Sequence, residues 1–372
     1  MQPLFYEVKD MPQTRRPKLS AIKTILLAAQ PLVGGQAVME GVMMRSPNSF
    51  AVAVRRRNGN IVVREDAWRS LSERFTFLKW PLLRGATMLI ESMYNGISAL
   101  NFSAAQMMED ENPEEAKKIE KDNSGFALVL SLVMGFALAI LLFKGLPHGL
   151  AWGLGMFLGA NGESALPIDS VGFHLVDGTI KLGIFISYIL LISRMEDVKR
   201  LFMYHGAEHM AVHTWEAKEP LDVAHCDPKS TAHPRCGTSL ILLVIAVSVF
   251  VFAAIFPLIP TPDMHPWLQA LFTFAIKIPL MLPVAGLAYE AQRLAAKNPD
   301  TFWVRAIIAP GMMMQRLTTR RPDKDQQEVA LTALRKAIWR EQQVTDKGGS
   351  LKVRSRQLET FDNFDHVRQQ VA

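Results

Sequence analysis

Between Tyr204 and Cys236 the chain reads YHGAEHMAVHTWEAKEPLDVAHCDPKSTAHPRC. The stretch holds five of the nine histidines, His205, His209, His213, His225 and His233, and both cysteines, Cys226 and Cys236. Even scattering would place fewer than one histidine there. Imidazole, thiolate and carboxylate are the side chains that bind transition metals. No proline interrupts Met195–Glu216, so a helix is expected to run through it from the preceding apolar segment. On that helix His205 and His209 stand at i and i+4, one above the other on one face. Glu208 lies beside the pair, and H-x-x-E-H is the order of the inverted zinc proteases, in which the Glu is the general base.

Two histidines do not complete a site. His233 and Cys236 stand in HPRC just before an apolar run, and Pro234 and Gly237 allow the bend that would return them to the pair. The expected metal ligands are therefore His205, His209, His233 and Cys236, with Glu216 as a substitute if Cys236 stays free. Nitrogen and sulfur donors together suit Zn²⁺. With all four bound the site would be closed and structural; with one position open and Glu208 beside it, catalytic. His213 extends the i+4 row as a polar helix face, and His225 and Cys226 fall in a loop as bystanders.

The elements that must position these groups are of two kinds. The 372 residues are 49% hydrophobic and 20% charged, with a net charge of +6. The mean hydropathy of +0.12 averages nearly charge-free stretches with densely charged ones. That pattern fits a membrane protein with sizeable soluble portions. Two cysteines in one window do not make a disulfide framework.

Residues 1–30 are basic, and the apolar run Ala21–Ala29 is too short to span a bilayer. Residues 31–74 hold GGQAVMEGVMMRSP and then alternating apolar and polar residues on both sides of Asn58-Gly59. That alternation predicts a β-hairpin pairing Phe50–Arg55 with Asn60–Arg64, its arginines on a solvated or headgroup face. Residues 75–124 comprise an amphipathic helix (Leu82, Leu83, Met88, Leu89, Ile90, Met93, Ile97, Leu100) and a charged connector from Glu109 to Asn123.

Residues 125–193 contain spans one (Gly125–Phe143) and two (about Thr179–Ser193), separated by a Gly-rich stretch, Gly145–Gly162, expected to be re-entrant or interfacial. The metal segment 194–237 follows. Residues 238–293 carry span three, Thr238–Pro257, and span four, about Leu268–Tyr289. Lys277, Pro279 and Pro283 are expected to interrupt span four, and a broken helix carrying charge must be buried in protein or line a polar cavity. Residues 294–345 form a helical tail, capped at Thr319 or Asp323, with Val329, Leu331, Leu334 and Ile338 on one face. Residues 346–372 are polar and expected to be disordered.

Lys and Arg crowd the segments before span one, between spans two and three, and after span four, and are scarce in the other two loops. The positive-inside rule then places both termini and the His/Cys segment in the cytoplasm of a plasma-membrane protein, with lipids as partners. Met39, Met43 and Met44 are expected to be packing residues rather than copper ligands. Gly34-Gly35 lacks the Lys and Ser/Thr of a phosphate loop. The hairpin arginines lack the interleaved aromatics of a nucleic-acid surface.

GGQAVMEGVMMRSP, YHGAEH, HPRCGTS, AGLAYE and LTTRRPD occur in this order near residues 34, 204, 233, 285 and 317. Together they resemble the YqhQ-type bacterial membrane proteins, the DUF1385 family, over residues 32 to 340. The resemblance implies a bacterial inner-membrane protein and a predicted metal-dependent enzyme without an established reaction. The family's HGAEH falls on His205–His209 and its HPRCG on His233–Gly237; Met210 stands where members often carry Lys. The fold class expected is a mostly α polytopic membrane bundle of about four spans with a small N-terminal β element. The function expected is a membrane metal-dependent enzyme, a hydrolase at the cytoplasmic face. The alternatives are a transporter or ion-conducting protein with Lys277 on its path, and a scaffold with a structural metal.

Overall fold

Two short apolar stretches at the N-terminal end alternate with period two, and both alternating sets are buried. In the computed structural model, which describes residues 31–109, 112–113, 126–159, 163–260, 262–297, 301–346 and 357–370, they form an antiparallel sheet. Its strands are β1 Gly34–Val38, β2 Gly41–Arg45, β3 Ser49–Arg55, β4 Ile61–Ala67 and β5 Gln357–Phe361, in the order β1-β2-β3-β4-β5. The chain divides into residues 1–32 and 33–372, and every element described here belongs to the second unit. The basic segment 1–30 and most of the charged connector lie outside the described residues.

The expected hairpin is present, with Ala53 opposite Val63 and Arg55 opposite Ile61. It is the centre of a larger sheet. GGQAVMEGVMMR is itself a hairpin, β1 and β2, turning through Met39-Glu40 with Glu40 left-handed at φ 50. Within the tail expected to be disordered, residues 357–370 form β5, paired along β4, and a terminal helix, Phe364–Gln370. Phe361, Phe364 and Val367 join the core, and that apolar trio outweighs the polar composition around it. Residues 347–356 of that tail are outside the described residues.

The helices are α1 Leu83–Met108, α2 Phe126–Ile140, α3 Leu146–Leu158, α4 Val171–Ile192, α5 Glu196–Glu216, α6 Gly237–Ile255, α7 Pro266–Lys297, α8 Phe302–Thr318, α9 Lys324–Asp346 and α10 Phe364–Gln370. One face of the sheet (Val42, Met44, Ala51, Ala53, Ile61, Val63) packs on Tyr204, Ala207, Met210 and Ala211 of α5 and Val329, Leu331, Leu334 and Ile338 of α9. The other face (Val38, Met43, Phe50, Val52, Val54, Val62) packs on Ala99 and Phe102 of α1. The arginine face is thus not a solvated one throughout. Arg64 is buried, its guanidinium over the rings of Phe50 and Phe102 and bonded to Ser98. Asp323 caps α9, accepting from Gln326 N at 2.8 Å.

Among the described residues, four helical stretches are long and apolar enough to cross a membrane: Val133–Leu158, Val171–Ile192, Gly237–Leu258 and Pro266–Ala295. Only 11% to 33% of each is buried within the protein, which leaves most of their apolar surface for lipid. The molecule is therefore a polytopic helical bundle with a sheet-bearing unit. The Gly-rich stretch is not a separate re-entrant piece. It continues span one, joined to α2 by a π turn, Leu141–Gly145, which lets Pro147 sit in the first turn of α3. Span two starts earlier than expected, at the Ser170 cap.

Span four is not broken. Pro279 and Pro283 lie inside continuous α7, and Lys277 is buried against Asp177 of α4, not along an opened backbone. Span two does not run on into α5. The chain turns at Ser193–Met195, and Met195 is extended (φ −71, ψ 137), so α5 starts afresh and can follow the sheet. The amphipathic helix begins only at Leu83, after left-handed Leu82 (φ 70), whose carbonyl lies where a Cβ on Gly286 of α7 would be.

Glu65 of β4 is 1% exposed, and neither of its carboxylate oxygens has a hydrogen-bond partner. Burial raises its pKa above 4.5, against the pull of Lys336 and Arg340. A folded value above the unfolded one means the group favours the fold fully below about pH 4.5, and that contribution is lost as pH rises through the folded value. Glu65→Gln is therefore expected to raise the thermal midpoint of the detergent-solubilised protein at pH 8, with the gain shrinking toward pH 4.5. An equal change at every pH would contradict this account.

Candidate metal centre

Helix α5 carries the histidine row and owes its position to small residues. Gly206 lies so near the 318–320 turn that a Cβ there would sit 2.1 Å from the Arg320 carbonyl oxygen. Gly35 of β1 lies against Glu208, where a Cβ would meet Glu208 Cγ at 2.7 Å. The Met-Glu-Gly turn grips the helix from the other side, as Glu40 accepts from Arg200 at 2.5 Å and from the Tyr204 hydroxyl at 3.2 Å. Met210, facing the sheet, is fully buried.

With α5 held, backbone carbonyls fix the imidazoles. His205 Nδ1 lies 2.8 Å from the Thr318 carbonyl, and His209 Nδ1 lies 2.6 Å from the Thr231 carbonyl. A carbonyl can only accept, so each Nδ1 carries the proton and each Nε2 keeps a free lone pair. His205 Nε2 is 3.2 Å from Cys236 Sγ. His209 Nε2 is buried without a hydrogen-bond partner. The ligand atoms of His205, His209 and Cys236 all lie within 4.8 Å of one another. Cys236 caps α6, its sulfur near Thr238 N and Oγ1.

Of the four residues expected as ligands, three come together and His233 stands apart from them. It belongs to a second group with His213 and Glu216, its ring 4.6 Å from His213 and 5.8 Å from His209. Its Nδ1 accepts from Arg235 N and its Nε2 faces Glu216 Oε2 at 3.3 Å. Glu216, expected as a substitute ligand, is also paired with Arg235. His213 donates from Nε2 to the Ala232 carbonyl at 2.9 Å. Burial lowers the pKa of both His213 and His233, with the Ala232 carbonyl and Glu208 respectively opposing it. Glu208, expected as the general base, is 5% exposed, with Oε2 3.4 Å from His209 Nε2.

The bystanders sit elsewhere. Cys226 is a free thiol in the sheet core, its pKa pushed up to about 11 by burial. Cys236 is also free, so the two form no disulfide. His225 bonds Asp222.

Two positioning residues had no signal in the sequence. Gln315 of α8, fully buried, binds both backbone groups of His233, accepting from N at 2.7 Å and donating to O at 2.8 Å, and also donates to Ser239 Oγ. Gln292 of α7 donates to the Cys236 carbonyl at 3.1 Å. They fasten the HPRC loop to two helices through residues more than fifty positions away in the sequence. A small, largely apolar cavity of about 50 Å³ adjoins the loop, bordered by Pro234, Ser239, Leu242, Leu243 and Gln292.

A membrane bundle joined to a sheet-bearing unit, with histidines and a cysteine gathered where they meet the first turn of a span, defines a polytopic membrane protein with a candidate metal centre. The chain belongs to the DUF1385 family, a protein family of unknown function, whose model matches residues 80–340. It is 32% identical over 315 residues to the uncharacterized protein YqhQ of Bacillus subtilis (strain 168), covering 83% of this chain and 92% of that relative. No solved structure matches the chain.

Gly206→Ala tests the clamp on α5. The added methyl meets a backbone carbonyl, which cannot swing aside, so a loss of about 1–3 kcal/mol is expected. Gly237→Ala, where a Cβ meets nothing within 4 Å, serves as the control and should leave the melting temperature close to that of the wild type. Equal tolerance of both substitutions would show that the close approach at Gly206 carries no weight.

Proposed function

We propose that this protein is a membrane metal-dependent enzyme, a hydrolase whose centre is His205, His209 and Cys236 with Glu208 as general base. The observation that carries the reading is the tautomer lock. Two carbonyls hold the Nδ1 protons and leave both Nε2 lone pairs beside a cysteine sulfur. Metal-ligating histidines are oriented this way by their outer partners. A buried His209 Nε2 that has no hydrogen-bond partner among the described residues, with only the Glu208 carboxylate 3.4 Å away, fits a missing ligand better than a packed core histidine, which would be hydrogen-bonded. The N₂S donor set suits Zn²⁺, and three protein ligands leave a fourth position open, as in catalytic zinc sites.

Such a metal would act as a Lewis acid on a carbonyl. Glu208, beside His209 and outside the donor set, would accept the proton of the attacking water. The substrate would be an ester or amide that approaches from the cytosol or the headgroup layer. Lys and Arg flanking the spans favour the plasma membrane with the centre and both termini in the cytoplasm.

A structural reading has one observation in its favour. His205 and His209 sit on α5 and Cys236 on the cap of α6, so a metal there would staple the soluble unit to a span.

Metal content and activity together separate the readings. Protein purified without chelator should carry about one equivalent of zinc per chain, and the double variant His205→Ala/His209→Ala should carry none. Glu208→Gln should keep metal and thermal midpoint while hydrolysis of a chromogenic acyl ester falls about 100-fold. Unchanged hydrolysis in Glu208→Gln, beside a destabilised His205→Ala, would leave only the staple. Cysteine labelling from the two sides of the membrane checks orientation: reagent at position 225 should react from the cytoplasm and at position 263 from outside.

A further inference from the structure

The membrane helices hold a second group of ionisable side chains that the metal centre does not use. Asp177 and Lys181 of α4, Lys277 of α7, His148 of α3 and His174 of α4 are each at least 96% buried. Lys144, in the π turn before α3, lies beside Lys181. Lys144 and Lys181 fall close to the midpoints of their apolar stretches, and Lys277 about one turn from the midpoint of its own. The group thus lies near one depth, in the middle of the bundle, on helices other than the one that carries His205 and His209.

Its members are linked in a row. The His148 Nε2–H donates to the Ala270 carbonyl at 2.9 Å, so His148 Nδ1 accepts from Lys277 Nζ at 3.1 Å. Lys277 Nζ donates to Asp177 Oδ2 at 2.6 Å, and Lys181 Nζ stands 3.8 Å from the same oxygen. The walls are aromatic: Lys277 faces the rings of Phe173, Phe252 and Phe256, and Lys144 faces Phe252. Helix α6 contributes Phe252 and no charge to the group; Phe173 comes from α4, and Phe256 from the turn that follows α6.

Two features distinguish this row from a static ion pair. The first is charge. Three lysines face one aspartate, and holding all three as ammonium would leave two uncompensated positive charges at the centre of a bilayer, which is costly. Release and return of a proton removes the surplus without any ion having to enter. The second is incomplete bonding. Asp177 Oδ1, Lys144 Nζ and both ring nitrogens of His174 are buried without a hydrogen-bond partner among the described residues. A pair retained only to join helices has its polar groups satisfied. Ionisable residues buried in a membrane bundle commonly mark proton relays, and π turns occur frequently at functional sites.

We propose that Lys181, Asp177, Lys277 and His148, with Lys144 beside them, form the midpoint relay of a proton path through the membrane part of this protein. A proton moves from one nitrogen or oxygen of the row to the next, and its charge crosses with it. No bond other than N–H and O–H bonds is made or broken. The relay is independent of the metal centre and of its chemistry.

The test uses the full-length protein in liposomes enclosing a pH-sensitive dye, with a potassium gradient and valinomycin supplying the membrane potential. Wild type should acidify or alkalinise the lumen, according to the sign of the potential, several-fold faster than protein-free liposomes. Asp177→Asn and Lys277→Met should reduce the rate at least tenfold with zinc content unchanged, and Asp177→Glu should restore part of it. Lys144→Met is the second probe if a variant at the ion pair fails to fold, because Lys144 Nζ donates to no acceptor among the described residues that its loss would orphan. Wild-type rates equal to those of empty liposomes, or a Lys144→Met protein that conducts like wild type, would overturn the relay.

Discussion

A carbonyl oxygen decides which nitrogen an imidazole offers, and the candidate centre depends on two such decisions. Thr318 and Thr231 present their carbonyls to His205 and His209 only because the 318–320 turn and the 231–236 loop are both pressed against α5. The first contact requires the missing side chain of Gly206. The second requires Gln315 and Gln292 to fasten the HPRC loop from α8 and α7. Moving any of these supports by an ångström would free an Nδ1 to exchange tautomers, and the lone pairs would no longer converge on Cys236. Positioning on this scale is what a first coordination shell asks of its outer partners.

Four of the five stretches that carry the family resemblance turn out to be neighbours in space. GGQAVMEG supplies the turn that grips α5 through Glu40 and the glycine that makes room for Glu208. YHGAEH is the gripped helix face, and HPRCGTS is the loop and cap facing it. AGLAYE brings Gly286 against the Leu82 backbone and Glu290 to Arg84, holding α1 to α7. LTTRRPD runs from the carbonyl that orients His205 to the Asp323 cap of α9. The resemblance is therefore, apart from AGLAYE, a resemblance of one assembled region.

Much of this was legible in the sequence because it rests on local periodicity. The four apolar stretches, the Asn58-Gly59 hairpin, the i, i+4 histidines and the Asp323 cap all follow from residues close in the chain. The misreadings share a cause. Pro147, Pro279 and Pro283 look like breaks locally, but a π turn and neighbouring helices accommodate them. Nothing local distinguishes Ser193–Met195 as a turn; α5 departs there to follow the sheet. β5 reads as polar tail because an edge strand needs only every second residue apolar, and its partner is β4, nearly three hundred residues earlier. The split of His233 from His205 and His209 also depends on a remote residue, Gln315, for which no short motif exists.

The pairing of β5 with β4, and the burial of the sheet by α5 and α9, fix an order of assembly. A ribosome makes β1 to β4 first, yet α9, which shares the cover of one face of that sheet with α5, emerges only after the membrane helices. Val42, Met44, Ala51 and Ala53 must wait for Val329, Leu331 and Leu334, on the far side of every span. The soluble unit therefore cannot finish folding until the bundle has been inserted. A nascent chain whose insertion stalls keeps an apolar sheet face exposed, the kind of surface that quality-control chaperones and membrane proteases recognise. Closing the sheet with the end of the chain makes completed insertion a condition for having a His/Cys centre at all.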